Sequence, residues 1–340
     1  MRILLSAVGT RGDVQPLLAL ALELRALGHL ARLCIPPNFL DWARDLEFEA
    51  RPLGISMRPG PIPNPMPDLI TDQFETLMEA SQDCQLILGA GTHQYAARSI
   101  AQIRDIPCLQ AVYAPQSFQD RAVWNARSLE RVNANRRRLG LADISDVLDH
   151  ILDDDPWLAA DPTLCPPGRG AWILDDQSPL APELEAFLEQ GPPPVYLGFG
   201  SMPVPSETSA PLMAAARAHG RRLILAQGWA GLMPADPAAD CFSCGDVNQQ
   251  RLFPRLAAVV HHGGAGTTTT AARAGVPQVL VPMFSDQFYW GERVRALGLG
   301  VSTSLDHLPE ALGESLGRNV QPIPHTGCRL RELLKRSGIS

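Results

Sequence analysis

The stretch Val259-Val260-His261-His262-Gly263-Gly264-Ala265-Gly266-Thr267-Thr268 decides the fold. An apolar run of strand length ends in glycines, and threonines and alanines then continue at helical spacing to Ala274. That order is strand, glycine loop, helix. The first turn of a helix offers N–H groups without intrahelical partners and a partial positive charge. Glycines let such a backbone come close to a phosphate. A glycine loop alone reads equally well as a tight turn. The two histidines, the four threonines and the following residues separate the two readings. Ala274-Gly275-Val276-Pro277-Gln278 closes the helix, residues 278–281 read as a strand, and Pro282 leads to Ser285-Asp286-Gln287. Ligands of open parallel sheets sit beyond the C-terminal ends of the strands. A carboxylate beside an amide there supplies both acceptors and donors for sugar hydroxyls.

The same alternation extends outward in both directions. Upstream, residues 195–199 read as a strand running into Gly200-Ser201, with a helix over 210–219 and strands over 222–226 and 257–261. At the N-terminus, residues 2–8 read as a strand and Gly9-Thr10-Arg11-Gly12-Asp13-Val14-Gln15-Pro16 as a loop. A helix over 17–27, Gly28 and a strand over 29–35 complete a βαβ unit. Residues 86–88 and 108–112 add further strands. Between the two patterns, residues 168–194 are rich in proline and glycine around a short acidic helix at 182–189. The expected organisation is a first domain over 1–167, a linker over 168–194, a second domain over 195–325, and a tail over 326–340 whose helix packs back on the first domain.

Bulk properties narrow the class. The 340 residues suit two domains of ordinary size. Hydrophobic residues at 45% and charged residues at 19% describe a globular chain. A net charge of -7 argues against a nucleic-acid binder. No run approaches the roughly 20 apolar residues of a membrane-spanning helix. The short apolar run at 3–5 ends in Gly9-Thr10-Arg11-Gly12-Asp13, unlike a secretory leader. Seven scattered cysteines, an odd number, suggest a reducing cytoplasm. Cys241 and Cys244 form a lone CxxC without the second pair that zinc requires, and read as ordinary thiols.

Several of these blocks together resemble one family. His262-Gly263-Gly264-Ala265-Gly266-Thr267, Gly275-Val276-Pro277-Gln278, Pro282 and Asp286-Gln287 resemble the donor-binding signature of inverting glycosyltransferases with the GT-B fold. Residues 9–16 resemble the acceptor-domain start of the branch holding the vancomycin-group glycopeptide-antibiotic and sterol glycosyltransferases. Residues 156–162, 170–174 and 192–201, with Asp246-Val247-Asn248 ahead of Leu252-Phe253, resemble the vancomycin group most. The resemblance covers most of the chain and keeps the blocks in order.

It implies two Rossmann-like doubly wound parallel-sheet domains facing a cleft, and sugar transfer from a UDP- or dTDP-sugar to a hydroxyl of a glycopeptide, polyketide or lipid-like acceptor. Asp13 would be the general base; its other reading is a helix cap near Val14. Positioned base assistance is typically worth about 10²–10⁴-fold. The donor set would be Thr10, Ser201, Val247 through its backbone, His262, the N–H groups of Gly264, Ala265, Gly266 and Thr267, and Asp286 with Gln287. His93 and Tyr113 would face the acceptor. His262 also reads as a hydrogen-bonded strand-end histidine, His261 as a structural one, and Trp229 as either a stacking platform or core. Asp153-Asp154-Asp155 contains an Asp-x-Asp pattern but reads as a solvated acidic turn, so no metal and no cofactor are expected. Two rivals share the donor motif: a GT-B nucleotide-sugar epimerase, which needs more carboxylates at the anomeric carbon, and an inactive sugar-nucleotide-binding partner, in which Asp13 or the His262 block would be eroded.

Overall fold

In the computed structural model, which describes residues 1–60, 66–115, 120–152, 155–236, 238–327 and 329–336, the chain builds the same kind of sheet twice. The first sheet holds β1 (Arg2–Ala7), β2 (Leu30–Ile35), β3 (Glu49–Pro52), β4 (Leu86–Ala90), β5 (Cys108–Val112) and β6 (Trp157–Leu158), in the order β3-β2-β1-β4-β5-β6. The second holds β7 (Val195–Gly198), β8 (Leu223–Ala226), β9 (Cys241–Cys244), β10 (Ala258–His261), β11 (Gln278–Leu280) and β12 (Gly300–Ser302), in the order β12-β11-β10-β7-β8-β9. All pairings are parallel. Each sheet begins at a middle strand, runs outward to one edge, then returns to fill the other side. The first and fourth strands of each set are therefore neighbours whose following loops diverge.

The strand composition follows from burial on both faces. Ile3-Leu4-Leu5 has no polar position, and all three side chains are buried. In β7 the alternation is visible in the packing. Val195 and Leu197 enter one core with Leu225, Val260, Leu212 and Leu312. Tyr196 enters another with Ile224, Val259, Leu184, Phe187 and Phe253. The first unit's helices are α1 (Arg11–Ala26), α2 (Leu40–Asp45), α3 (Leu69–Ala80), α4 (Ala97–Arg104), α5 (Arg121–Arg138) and α6 (Val147–Ile151). The second unit's are α7 (Pro182–Glu189), α8 (Ser209–Ala218), α9 (Gln249–Leu252), α10 (Ala265–Ala274), α11 (Gln287–Ala296) and α12 (Leu308–Leu316). The last, α13 (Leu330–Arg336), packs against α1.

Two differences from the sequence reading have local causes. Helix α1 starts at Arg11, not at residue 17, because Thr10 caps it: the Thr10 hydroxyl accepts the Gly12 N–H at 3.3 Å, and the Asp13 carboxylate accepts the Thr10 N–H at 2.8 Å. Pro16 is tolerated inside this helix. Its missing N–H deprives only the Gly12 carbonyl of an intrahelical partner. Helix α10 likewise begins at Ala265 rather than Thr267.

The compact units also follow a more broken path than one linker would give. One comprises Met1–Ala160, Arg169–Leu174 and Gly327–Ser340; the other comprises Asp161–Gly168 and Asp175–Thr326. The proline-rich stretch is built into the second unit, where Leu180, Leu184, Phe187 and Leu188 of α7 and its approach are core residues. The Asn248 amide donates to the Asp176 and Ser178 carbonyls at 2.7 and 2.8 Å and holds the approach in place.

Asp161, the first residue of the second unit, is fully buried. Its carboxylate takes the Arg273 guanidinium of α10 at 3.1 Å, the Thr326 hydroxyl at 2.8 Å and the Thr163 N–H at 3.0 Å. Removing one member of a buried pair leaves the other charge uncompensated. Asp161→Ala is expected to lower the unfolding free energy by about 3 kcal/mol in urea titrations; a loss within the few tenths typical of a surface ion pair would show that the charge is not buried in solution.

Candidate functional site

The glycine loop sits where the order of the second sheet reverses. β10 and β7 are neighbours, with His261 in register with Gly198, and their loops carry His262–Gly264 and Phe199–Met202. Gly264 is the N-cap of α10 and no side chain caps that end. Thr268 makes the first intrahelical bond, to the Gly264 carbonyl at 3.0 Å, so the N–H groups of Ala265, Gly266 and Thr267 lie at the open first turn. The hydroxyls of Thr268, Thr269 and Thr270 bond back to the carbonyls of Gly264, Ala265 and Gly266 at 2.8 to 2.9 Å. These bonds keep the hydroxyls inside the helix.

The two histidines divide into a structural one and one facing the loop. His261 is fully buried. Its Nδ1 accepts the Gly263 N–H at 3.1 Å, so its proton is on Nε2, which donates to Gln278 Oε1 at 3.0 Å. Gln278 in turn donates to the Thr268 carbonyl at 3.3 Å. This chain fixes the loop to the helix. Burial, then the neighbouring His262, lowers the His261 pKa to about 3. His262 lies over the helix start: a Cβ added at Gly264 would stand 2.6 Å from its Nε2. Burial lowers its pKa to about 4, so at neutral pH the ring is uncharged. Its Nδ1 is enclosed and has no hydrogen-bond partner.

In this unit the other residues expected for a donor lie in the loops after β7, β9 and β11. Ser201 follows Gly200 on the β7 loop, and the Met202 N–H bonds the Phe199 carbonyl at 3.0 Å. The Trp229 N–H donates to the Gly200 carbonyl at 2.8 Å, which places Trp229 at the end of β8 beside that loop, partly exposed. The Val247 side chain packs against the core beneath α7, and Asn248 after it caps α9. Asp286 is the N-cap residue of α11, and burial raises its pKa while the Trp290 indole N–H, donating at 3.0 Å, opposes the shift. Gln287 was expected beside it as a sugar ligand. The structure puts this side chain to another use: it is buried, and its Oε1 accepts the N–H groups of Met283 and Phe284 at 2.8 and 3.3 Å. Trp290 had no motif to announce it, although its spacing four residues after Asp286 puts the two on one helix face.

The first unit repeats the arrangement at its own reversal point. The Asp13 carboxylate lies against the loops after β1 and β4, and a Cβ at Gly9 would stand 2.1 Å from its Oδ2, one at Gly91 3.3 Å from its Oδ1. Only glycine at position 9, with φ +143°, leaves room for it. Asp13 is thus both a member of a capping box and a carboxylate at the sheet's switch point. Tyr113 was expected to face an acceptor. Its hydroxyl instead donates to the Asp13 carbonyl at 3.1 Å, its ring stands edge-on to Trp172, and burial with the Asp13 charge raises its pKa. His93 is exposed and packs its ring on Trp124 and Tyr95, with centroids at 5.1 and 6.2 Å. Neither aromatic neighbour carries a sequence signal.

Two remaining sequence features fall outside any site. Asp153 and Asp154 lie outside the described residues, and Asp155 pairs with Arg169 at 2.8 Å. Cys241 and Cys244 lie on β9, where burial pushes both thiols up to about 11 and leaves them protonated. Among the described residues no three histidines, cysteines or carboxylates converge as metal ligands. No helix of the described residues is long and apolar enough to cross a membrane.

Comparison with known proteins points one way. Residues 3–105 match the N-terminal domain of glycosyltransferase family 28. Residues 244–330 match the erythromycin biosynthesis protein CIII-like C-terminal domain. The chain is 40% identical over 368 residues to the vancomycin aglycone glucosyltransferase of Amycolatopsis orientalis, covering 93% of this chain and 90% of that one. It is 39% identical over 361 residues to the dTDP-epi-vancosaminyltransferase of the same organism, covering 94% and 91%. Among solved structures, the glycosyltransferase of kitacinnamycin superposes with a TM-score of 0.71 at 20% identity, covering 99% of this chain and 96% of that one, a likeness of fold.

The buried histidines set an acid limit. Both folded-state pKa values lie below the 6.5 of an unfolded histidine, so the unfolded chain takes up protons that the fold refuses. Their contribution to stability is complete above pH about 6.5 and is lost as the pH falls toward 4 and then 3. Urea unfolding between pH about 6.5 and about 4.5 should show falling stability, and His262→Gln should flatten that slope by up to one proton, ~1.4 kcal/mol per pH unit. An unaltered slope would place the His262 ring in water.

Proposed function

The chain belongs to the vancomycin-group branch of the GT-B glycosyltransferases, enzymes that move a sugar from a nucleotide donor, and on that premise we propose that it transfers the sugar with inversion and without a metal from a UDP- or dTDP-sugar to a hydroxyl of a natural-product acceptor. In this reading the acceptor oxygen attacks the anomeric carbon from the side opposite the diphosphate. Asp13 takes the hydroxyl proton, a glycosidic C–O bond forms, and the bond to the diphosphate breaks with its electron pair leaving on the diphosphate oxygen. A carboxylate is a weak base toward an alcohol, but the hydroxyl grows acidic as the new bond forms.

The observation that carries the reading is the start of α10. Uncapped N–H groups at Ala265–Thr267 and the helix dipole offer fixed positive potential where the leaving group gathers charge. A neutral His262 adds one N–H donor without the repulsion that a second cation would bring to the helix terminus. The ring atom over the helix start is Nε2, which would give that N–H to a phosphate oxygen. This fixed set replaces the charge neutralisation that a metal performs in other transferases. Thr10 and Tyr113 act on Asp13, the first through the capping box and the second through its backbone carbonyl. Asp286 supplies an acceptor for sugar hydroxyls. The dTDP option is supported by the name of one close relative, and a glycopeptide aglycone as acceptor by that of the other.

Calorimetric titration of dTDP and UDP, with and without magnesium, tests the donor half. Binding that does not need magnesium and weakens about tenfold or more in His262→Ala is expected. Failure of both nucleotides to bind wild type would overturn the donor assignment. Asp13→Asn should keep nucleotide affinity while turnover falls by about 10²–10⁴-fold. A variant that turns over normally would remove Asp13 from the chemistry.

A further inference from the structure

The loop after β9 ends at Val247, the residue expected to meet the nucleotide base through its backbone. Gly245 and Asp246 before it are exposed. Among the described residues neither the N–H nor the C=O of Val247 has a hydrogen-bond partner. A donor and an acceptor on one residue match a ring carbonyl and the neighbouring N–H of thymine or uracil. The Val247 side chain packs against the core that holds Leu180, Leu184 and Phe187. That packing sets how deep the residue sits. It does not by itself set where the peptide groups point.

Asn248, the next residue, supplies the missing restraint. It is 4% exposed, and its side chain is bonded to backbone on both sides. Its Oδ1 accepts the Arg251 N–H at 3.1 Å and so caps α9. Its amide N–H groups donate to the carbonyls of Asp176 and Ser178 at 2.7 and 2.8 Å. Those residues lie at the start of the stretch by which the chain re-enters the second unit, at Asp175. The stretch is itself turned, with the Asp176 carboxylate accepting the Ser178 N–H at 2.9 Å. The Arg251 guanidinium adds a bond to the Gln177 carbonyl at 3.3 Å. Capping does not explain the choice of asparagine. Serine and aspartate cap a helix as well as asparagine does, and only the amide can also donate twice.

We propose that Asn248 is a positioning residue for nucleobase recognition: by tying the start of α9 to residues 176–178, it sets the direction in which Val247 presents its N–H and C=O to the base. The proposal rests on the donor-site reading given above. The diphosphate end of that site is built on a different helix, α10, so the base and phosphate halves can be perturbed separately.

The test compares dTDP and UDP, bound calorimetrically, with inorganic pyrophosphate, measured by its displacement of the bound nucleotide. The variant is Asn248→Ser, whose hydroxyl keeps the cap and removes both donors. Affinity for the preferred nucleotide should fall about tenfold, while that for pyrophosphate stays within about twofold of wild type. A merely structural loss would weaken both ligands alike. Loss of folded protein would lower the binding stoichiometry and is read separately. In turnover assays the donor KM should rise more than kcat falls, the mark of lost uniform binding. Asp176→Ala, in the turn and away from the core, should weaken the nucleotide by about two- to threefold and leave pyrophosphate unmoved. If Asn248→Ser does not fold, Asp176→Ala decides alone, with wild-type nucleotide affinity counting against the proposal. An Asn248→Ser protein that binds the nucleotide as tightly as wild type, or that loses nucleotide and pyrophosphate in equal proportion, would overturn it. Wild type that binds neither nucleotide would instead remove the donor-site reading on which the proposal stands.

Discussion

A parallel sheet that begins at a central strand leaves one place where successive loops run apart, and in each unit of this protein the residues proposed for the chemistry lie at that place. In the first, the loops after β1 and β4 part around Asp13; in the second, those after β7 and β10 part around the open end of α10. Side chains at the ends of buried strands are held by the sheet, while the loops they enter are free to be shaped for a ligand. The helix that follows supplies N–H groups already aligned, so little reorganisation is needed when charge arrives.

Burial then sets the chemical state of those groups. His261 is neutral because it is enclosed, and its tautomer is dictated by the Gly263 N–H that its Nδ1 must accept. His262 is neutral for the same reason, but has no partner for Nδ1. One ring thus completes a rigid hydrogen-bond chain through Gln278 to α10, and its neighbour presents Nε2 at the helix start. The two adjacent histidines differ in role because His261 ends β10 inside the core, whereas His262 follows it and lies over the helix start. For Asp13 the observed cap is compatible with the proposed base. One oxygen closes the capping box that begins α1, and the same bond fixes the carboxylate between Gly9 and Gly91.

The fold class was legible because its signals are local. Apolar strands buried on both faces, glycines at strand ends and helical spacing between them are properties of short segments, and they repeat twice. The glycine loop was legible for the same reason: His262, Gly264 and Thr267 are close in sequence, and one helix start brings them together. What was misjudged involved groups distant in sequence or competition for one group. The start of α1 was placed too late because the Thr10–Asp13 box outweighs the helix-breaking reputation of Pro16. The bond from the Tyr113 hydroxyl to Asp13, a hundred positions away, carried no sequence signal.

The division between sequence and tertiary structure falls along that line. The amino-acid sequence by itself determined two doubly wound units, the place of the glycine loop between a strand and a helix, and membership of a sugar-transferring family, since each is encoded in contiguous residues whose spacing matches a strand or a helix. Only the tertiary structure decided which polar side chains are free to meet a ligand. Gln287 has the right chemistry for a sugar and the right place beside Asp286, yet the backbone of Met283 and Phe284 and the sulfur of Met202 claim its amide first. A buried amide must satisfy its hydrogen bonds with whatever the fold places around it, and those neighbours come from strands that only folding brings side by side.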